Sequence, residues 1–598
     1  MAFESFSPLR RWRSLLSWLV LAVMIIAGAI ALKGCSPALL RSEAAQISQL
    51  VVSELSDPKT FNTVMQREVN AALGYMYDGL LSQNGLTGDL EPGLAESWEI
   101  SDDNQTIVFT LRENLRWSDG EPLTVDDVIF SFNEVYFNDR IPSSTRDVLR
   151  VGEQGLFPTI TKLDDRRFQV VSPEPFAPLL RSIGSIDLVP QHVLQTYVNS
   201  TDADGNPRFL NVWGTETPPQ DIIGNGPFRL TAYQTGERII LDRNPYYWRQ
   251  DQQGNPQPYI ERIVIQIVES ADTSLIQFRS GGLDIIGVSP NDFALIKREE
   301  EAGNFEIYDG GPALATSFIS FNLNQGSRNG QPVVNPIKSR WFNTLEFRQA
   351  VAHAINRQAM LNNIYQGIGE PQDSPIYKQT PYYLSPEEGL RVYDYDPDLA
   401  RELLLSAGFQ YNDQGQLLDA DGNLVRFNLI TNAGNDIRES LGTQVMRDLA
   451  QIGITVDFRP VAFNTLVNRL NDTLDWDAHI IGFTGGGVEP NSSANIWSIN
   501  GTLHVFNQNP SANDLEGRVI YDWEQAIANL YIRGSQELDE DRRREIYSEA
   551  QQLVQENLPF IYLVNPLALS AVRNTVKGVQ FSALGGTQWN LYELQIEP

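Results

Sequence analysis

Leu94-Ala-Glu-Ser-Trp-Glu-Ile100 runs into Ser101-Asp-Asp-Asn-Gln105 and leaves through Thr106-Ile-Val-Phe-Thr-Leu-Arg112. Two β-rich runs flank a short polar break, which is the pattern of a hairpin. Trp117-Ser-Asp-Gly120 then makes a second turn, and Pro122-Leu123-Thr124 opens a helix. Thr124 takes the N-cap position with Asp127 three residues on, a capping box with Asp in place of Glu or Gln. Val125, Val128, Ile129 and Phe132 supply the buried face of that helix. A hairpin stacked on a helix marks a fold and is not itself a site of chemistry.

The rest of the chain enlarges this unit. At 598 residues it exceeds one hydrophobic core, so two to four domains are expected. Hydrophobic residues make up 42 % and aromatics 10 %, enough for sizeable cores. The glycines and prolines are scattered without a repeat, as in a mixed α/β protein with many turns. The net charge of −30 argues against nucleic acid or other polyanions as partners.

The beginning of the chain reads as a targeting or anchoring segment. Arg10, Arg11 and Arg13 precede Ser14 to Leu32, which is uncharged and long enough to span a bilayer. Leu32-Lys33-Gly34-Cys35 follows and resembles a bacterial lipobox, with Lys33 as its departure. Cys35 is the only cysteine, so the chain has no internal disulfide, and lipidation at Cys35 is expected. The other reading is a chance cysteine after an uncleaved anchor. Either way the basic flank places the remainder outside the cytoplasm, in the periplasm or cell envelope and tethered to the membrane.

No catalytic constellation is visible. His192, His353, His479 and His504 lie far apart, and none has metal-ligand spacing. With Cys35 alone, a zinc or iron–sulfur site has no ligand set. There is no Gly-x-Ser-x-Gly elbow and no complete Gly-x-Gly-x-x-Gly. No catalytic residue, metal or cofactor is therefore expected, and a binding protein is preferred over an exported hydrolase of glycans or peptides.

The strongest ligand-facing candidate is Asp477-Ala-His-Ile-Ile-Gly-Phe-Thr-Gly-Gly-Gly-Val-Glu-Pro490. A short apolar strand, Ala478 to Ile481, empties into glycines that admit positive φ or close approach of another group. An ordinary flexible turn has the same pattern. A second loop, Thr431-Asn-Ala-Gly-Asn-Asp-Ile-Arg438, joins a strand to a helix, and helix N-termini attract anionic groups.

Taken in order, the hairpin, Phe109-Thr-Leu-Arg112 with Trp117-Ser-Asp-Gly120, and Leu123-Thr-Val-Asp-Asp-Val-Ile-Phe-Ser131 resemble the signature of the large solute-binding proteins of ABC importers, the peptide/nickel (oligopeptide/dipeptide-binding) family. Gly224-Asn-Gly-Pro-Phe228, Asn244-Pro-Tyr-Tyr-Trp248, Gly281-Gly-Leu-Asp-Ile285, Phe347 to Arg357 and Asp394-Tyr-Asp-Pro397 resemble further family motifs, and the resemblance covers about 45–598. It implies a two-lobed periplasmic-binding-protein-like α/β fold with an additional subdomain. Lobe I is expected at 45–85, 220–310 and 560–598, its extra subdomain at 86–219 and lobe II at 311–559, after a signal or anchor segment at 1–35. The hinge is expected at Gly310 to Asn324 and around Pro559 to Asn565.

The resemblance further implies a monomer that captures a small solute, a peptide first and an oligosaccharide second, and passes it to ABC permease and ATPase subunits. The candidate ligand-binding residues are Asn432, Asn435, Arg438, Phe483, Thr484, Gly485, Gly486, Glu489 and Trp497. Arg438 matches the Arg that binds a peptide carboxylate in dipeptide-binding relatives. Gly486 stands where those relatives carry an Asp for the peptide's amino terminus, which leaves Glu489 as the nearby carboxylate. Phe483→Ala and Arg438→Ala are expected to weaken binding with little change in the melting temperature of the empty protein.

Overall fold

The computed structural model describes residues 47–66, 70–143, 145–484, 487–510 and 515–597. The expected anchor, the lipobox with Cys35, and Gly485 and Gly486 lie outside the described residues. Among the described residues, no helix is long and apolar enough to cross a membrane.

The hairpin forms as its pattern requires. Ala95–Ile100 pairs antiparallel with Thr106–Leu111, with Ile100 opposite Ile107. Arg167–Val171 and Thr159–Lys162 extend it to a four-stranded antiparallel sheet. Phe109 and Phe168 stack across that sheet with ring centroids 5.2 Å apart, both fully buried. The helix Val125–Ile129 starts at Thr124 with both bonds of the capping box in place. The buried Asp127 also accepts from the Gln191 N–H at 3.0 Å, which ties the cap to the helix Gln191–Val198.

A second four-stranded sheet runs in the order Gln49–Glu54, Arg262–Ile267, Arg238–Arg243, Phe228–Gln234. Its first pair is parallel and the others antiparallel. One apolar core, containing Leu50, Phe109, Trp117, Phe228 and Ile263, is continuous through both sheets. The hairpin unit is thus an elaboration of its neighbour and has no separate core. Gly224 and Gly226 show why their turn needs glycine: a Cβ on either would run into the backbone of Met76, whose carbonyl accepts the N–H groups of Asn225 and Gly226 at 3.0 and 2.8 Å.

The second main core surrounds a five-stranded sheet ordered Thr455–Val461, Arg426–Asn432, Ala478–Ile481, Phe318–Phe321, Ile561–Tyr562. The chain enters it after Phe305–Pro312 and leaves it into Val564–Arg573, two strands that pair with each other in a different sheet. The two crossing segments are bonded together: the Ala313 N–H donates to the Pro566 carbonyl and the Asn565 amide to the Ala313 carbonyl, both at 2.9 Å. The chain therefore passes between the two sheets through paired strand ends.

Candidate functional site

The three parallel strands of the five-stranded sheet, Thr455–Val461, Arg426–Asn432 and Ala478–Ile481, end on the same edge. In open parallel sheets the carboxyl ends of strands are where loops form a binding crevice. Three connections leave this edge: Ala433–Asn435, Ala462, and the Gly-rich loop from Gly482.

The first connection is built around Arg438. Asn435 caps the helix Asp436–Gln451 by accepting from the Arg438 N–H at 3.0 Å. The Arg438 side chain turns back over the loop and donates from Nη1 to Asn432 Oδ1 at 2.8 Å. No carboxylate pairs with it among the described residues, and burial lowers its pKa. A half-buried guanidinium whose hydrogen-bond partner is one carboxamide keeps most of its fork of donors for something else.

The Gly-rich loop starts beside this cation. A Cβ on Gly482 would run into the Thr316 carbonyl oxygen and stand 3.5 Å from Arg438 Nη2. The Phe483 N–H donates to Thr316 Oγ1 at 3.1 Å, its carbonyl accepts from the Thr316 N–H at 2.9 Å, and Thr484 bridges to Ala315. The loop is thereby stitched to the crossing segment between the two sheets. At its far end Val488 meets the turn at Gly88, in the first-core part of the chain, where a Cβ would lie 2.8 Å from Val488 Cγ1. Arg181 holds that turn, donating to the Gln83 side chain at 2.8 Å and to the Gly88 carbonyl at 2.9 Å.

His479 lies beneath Arg438. It is fully buried, its ring is 4.6 Å from that of Trp476, and neither ring nitrogen meets a hydrogen-bond partner among the described residues. Burial, reinforced by the Arg438 charge, pushes its pKa down to about 3. The sign follows from proton counts. Between about pH 3 and its unfolded value near 6.5 the unfolded chain binds a proton here that the folded chain does not, so stability falls as pH falls. From pH 6.5 to pH 5 this site costs about 2 kcal/mol. Thermal unfolding should therefore show wild type losing stability over that range and His479→Leu losing less; parallel pH profiles would contradict the assignment.

The family model for bacterial extracellular solute-binding proteins, family 5 Middle, matches residues 89–503. The chain belongs to this family. A probable ABC transporter-binding protein of Deinococcus radiodurans is 30 % identical over 544 residues, covering 88 % of each chain. Solved structures share the fold, among them two with bound solutes. The periplasmic binding protein MelB of Agrobacterium fabrum, in complex with stachyose, has a TM-score of 0.76 at 19 % identity, over 92 % of this chain and 84 % of MelB. The oligopeptide-binding protein AppA of Bacillus subtilis, in complex with a nonapeptide, has a TM-score of 0.72 at 21 % identity, over 92 % and 99 %.

In this family 5 protein the candidate residues divide. Asn432, Asn435, Arg438 and Phe483 gather at one sheet edge, and Thr484 is exposed on the loop. Glu489 and Trp497 have other employment. Glu489 is the N-cap of Pro490–Ser493 and accepts from Arg543 Nη2 at 2.7 Å, with Arg543 almost completely buried. Trp497 is 2 % exposed and packs on Tyr531 and Phe560 at 5.9 and 5.6 Å, inside the second core. Phe483 also touches that core, 5.0 Å from Phe318 and 6.0 Å from Phe560. Truncating it therefore costs packing, and the expectation of an unchanged melting temperature is corrected for this residue. Phe463, which sequence reasoning missed, is 53 % exposed at the end of the Thr455–Val461 strand. An aromatic two residues past the end of the strand, at the start of a helix, was the available signal.

Proposed function

We propose that this family 5 protein captures a peptide-like solute between its two sheet-based parts and delivers it to the permease of an ABC importer. The observation that carries the reading is Arg438: a half-buried guanidinium at the carboxyl edge of the parallel strands, without a carboxylate partner among the described residues. A peptide carboxylate satisfies such a fork bidentately. Asn432, Asn435, Phe483 and the Gly-rich loop, including Gly485 and Gly486, line the same solute. The relatives support the class, since oligopeptide- and dipeptide-binding proteins of Bacillus subtilis and Escherichia coli match over most of this chain. The protein acts by binding and not by catalysis, as a monomer held at the membrane outside the cytoplasm by its N-terminal segment or by lipid on Cys35.

One observation favours an oligosaccharide as the second reading. Gly486 carries no charge and Glu489 is committed to Arg543, so the loop offers no free carboxylate to a peptide's ammonium. A buried ammonium without a counter-charge is costly. Incubation with labelled peptides and oligosaccharides separates these readings from each other and from a hydrolase. Peptide retained on the protein and recovered intact is the expected result, and turnover of either substrate would overturn it.

A further inference from the structure

One short segment of the first-core part reaches across to the other part. Ser172-Pro-Glu-Pro-Phe-Ala-Pro178 follows the strand Arg167–Val171, and Pro173, Pro175 and Pro178 each fix a φ, so the run is stiff. Ser172 Oγ donates to the Glu174 carbonyl at 2.6 Å, and Phe176 is buried in the first core, which pins the run in place. It meets the carboxyl end of the helix Asp522–Gln536, which belongs to the five-stranded-sheet part.

A helix leaves its last carbonyls without partners of its own. Here the Arg533 carbonyl accepts from the Glu537 N–H and the Gly534 carbonyl from Arg543 Nε, both at 2.9 Å and both within the same part. The Ser535 carbonyl instead accepts from the Ala177 N–H at 2.7 Å, a donor supplied by the other part. Beside it Gln536 Nε2 donates to Glu174 Oε2 at 2.6 Å. The helix Leu179–Gly184 continues the segment and adds a further contact. Its Arg181 holds the turn whose Gly88 meets Val488. Burial lowers the Arg181 pKa, and the charge of Glu489, next to Val488, works in the opposite sense. Among the described residues, Glu174, Ala177, Ser535 and Gln536 make no hydrogen bond to the sheet edge that carries Arg438.

Two parts joined by paired strand ends can turn about that joint. A turn that separates them at this helix end breaks the Ala177–Ser535 and Glu174–Gln536 bonds together. We propose that the segment Ser172–Arg181 is a clasp that holds the two parts together away from the strand crossing and sets how readily they open to admit and release solute. Contacts made in one arrangement and lost in the other bias the equilibrium between them. The proposal takes from the reading above only that solute enters between the two parts, and it holds for a peptide or a sugar.

Substitution at Gln536 should move opening in both directions. Gln536→Glu sets a second carboxylate against Glu174 and adds negative charge to a helix carboxyl end, whereas Gln536→Lys supplies a cation to both. Hydrogen–deuterium exchange of the full chain without added solute, resolved to single amides, reads opening at the Ala177 N–H. The Ala313 N–H, bonded to the Pro566 carbonyl at the strand crossing, is the reference that stays constant. Exchange at Ala177 should be about fivefold faster in Gln536→Glu than in wild type and about twofold slower in Gln536→Lys. With Glu174→Ala added, the difference between the two substitutions should shrink to about twofold. Equal exchange at Ala177 in wild type and both variants, a difference that persists in full with Glu174→Ala, or equal changes at Ala177 and Ala313 would each overturn the clasp. Each of those results leaves the solute reading standing, because no solute is present in the measurement.

Discussion

Arg438→Ala weakens peptide binding roughly a hundredfold and leaves the empty protein as stable as wild type. The affinity loss corresponds to about 3 kcal/mol, the scale for removing one partner of a desolvated charge pair at an interface. The near-neutral stability has a separate cause. Burial already works against the charged form of Arg438, and among the described residues its side chain makes one hydrogen bond, to Asn432 at the loop surface. Its removal gives up one hydrogen bond and relieves an uncompensated desolvation, so the two effects nearly cancel. Arg438→Lys recovers little, because a point charge cannot pair with both carboxylate oxygens at once. A set of titrations with a peptide and its C-terminal amide separates the charge from the packing: wild type prefers the free acid, and Arg438→Ala shows no preference. Equal loss for acid and amide would mean that the residue shapes the loop and does not meet the carboxylate.

Arg543→Met destabilises the protein by about 3–5 kcal/mol, the cost of leaving a buried charge without its partner. Arg543 is 3 % exposed in its side chain and binds Glu489 at 2.7 Å, the Gly534 carbonyl at 2.9 Å and the Tyr382 hydroxyl, and the pair with Glu489 helps keep it charged. For a unit of about 250 residues, at roughly 2 °C per kcal/mol, the drop in melting temperature is about 6–10 °C. Combining it with Glu489→Gln restores part of the loss, since the orphaned carboxylate is then gone. Glu489→Gln alone should leave peptide affinity close to wild type. If Glu489→Gln abolishes binding without changing stability, Glu489 meets the ligand and its pairing with Arg543 is secondary.

What the sequence revealed depended on how local each signal was. The hairpin at 95–111 and the cap at Thr124 are written in adjacent residues, and both form in the structure. A helix after the loop Thr431 to Arg438 was legible in the same way, whereas its cap by Asn435 was not singled out. The fate of Glu489 was not legible, because its partner lies in a helix far along the chain and the run Glu537 to Arg544 reads only as a charged helix face. Trp497 shows the same limit: an aromatic near a loop has the same composition whether it faces a ligand or Tyr531 and Phe560. His479 was visible as a histidine in a strand. Its burial without hydrogen bonds follows from strand register against Phe318–Phe321 and from the covering Trp476, and neither can be read from spacing.

Native mass spectrometry of the purified full chain, followed by release and sequencing of whatever remains bound, tests the central claim most directly. The account predicts a mixture of short peptides with free C-terminal carboxylates, absent from Arg438→Ala prepared in the same way. A bound oligosaccharide, or peptides retained equally by Arg438→Ala, would contradict it.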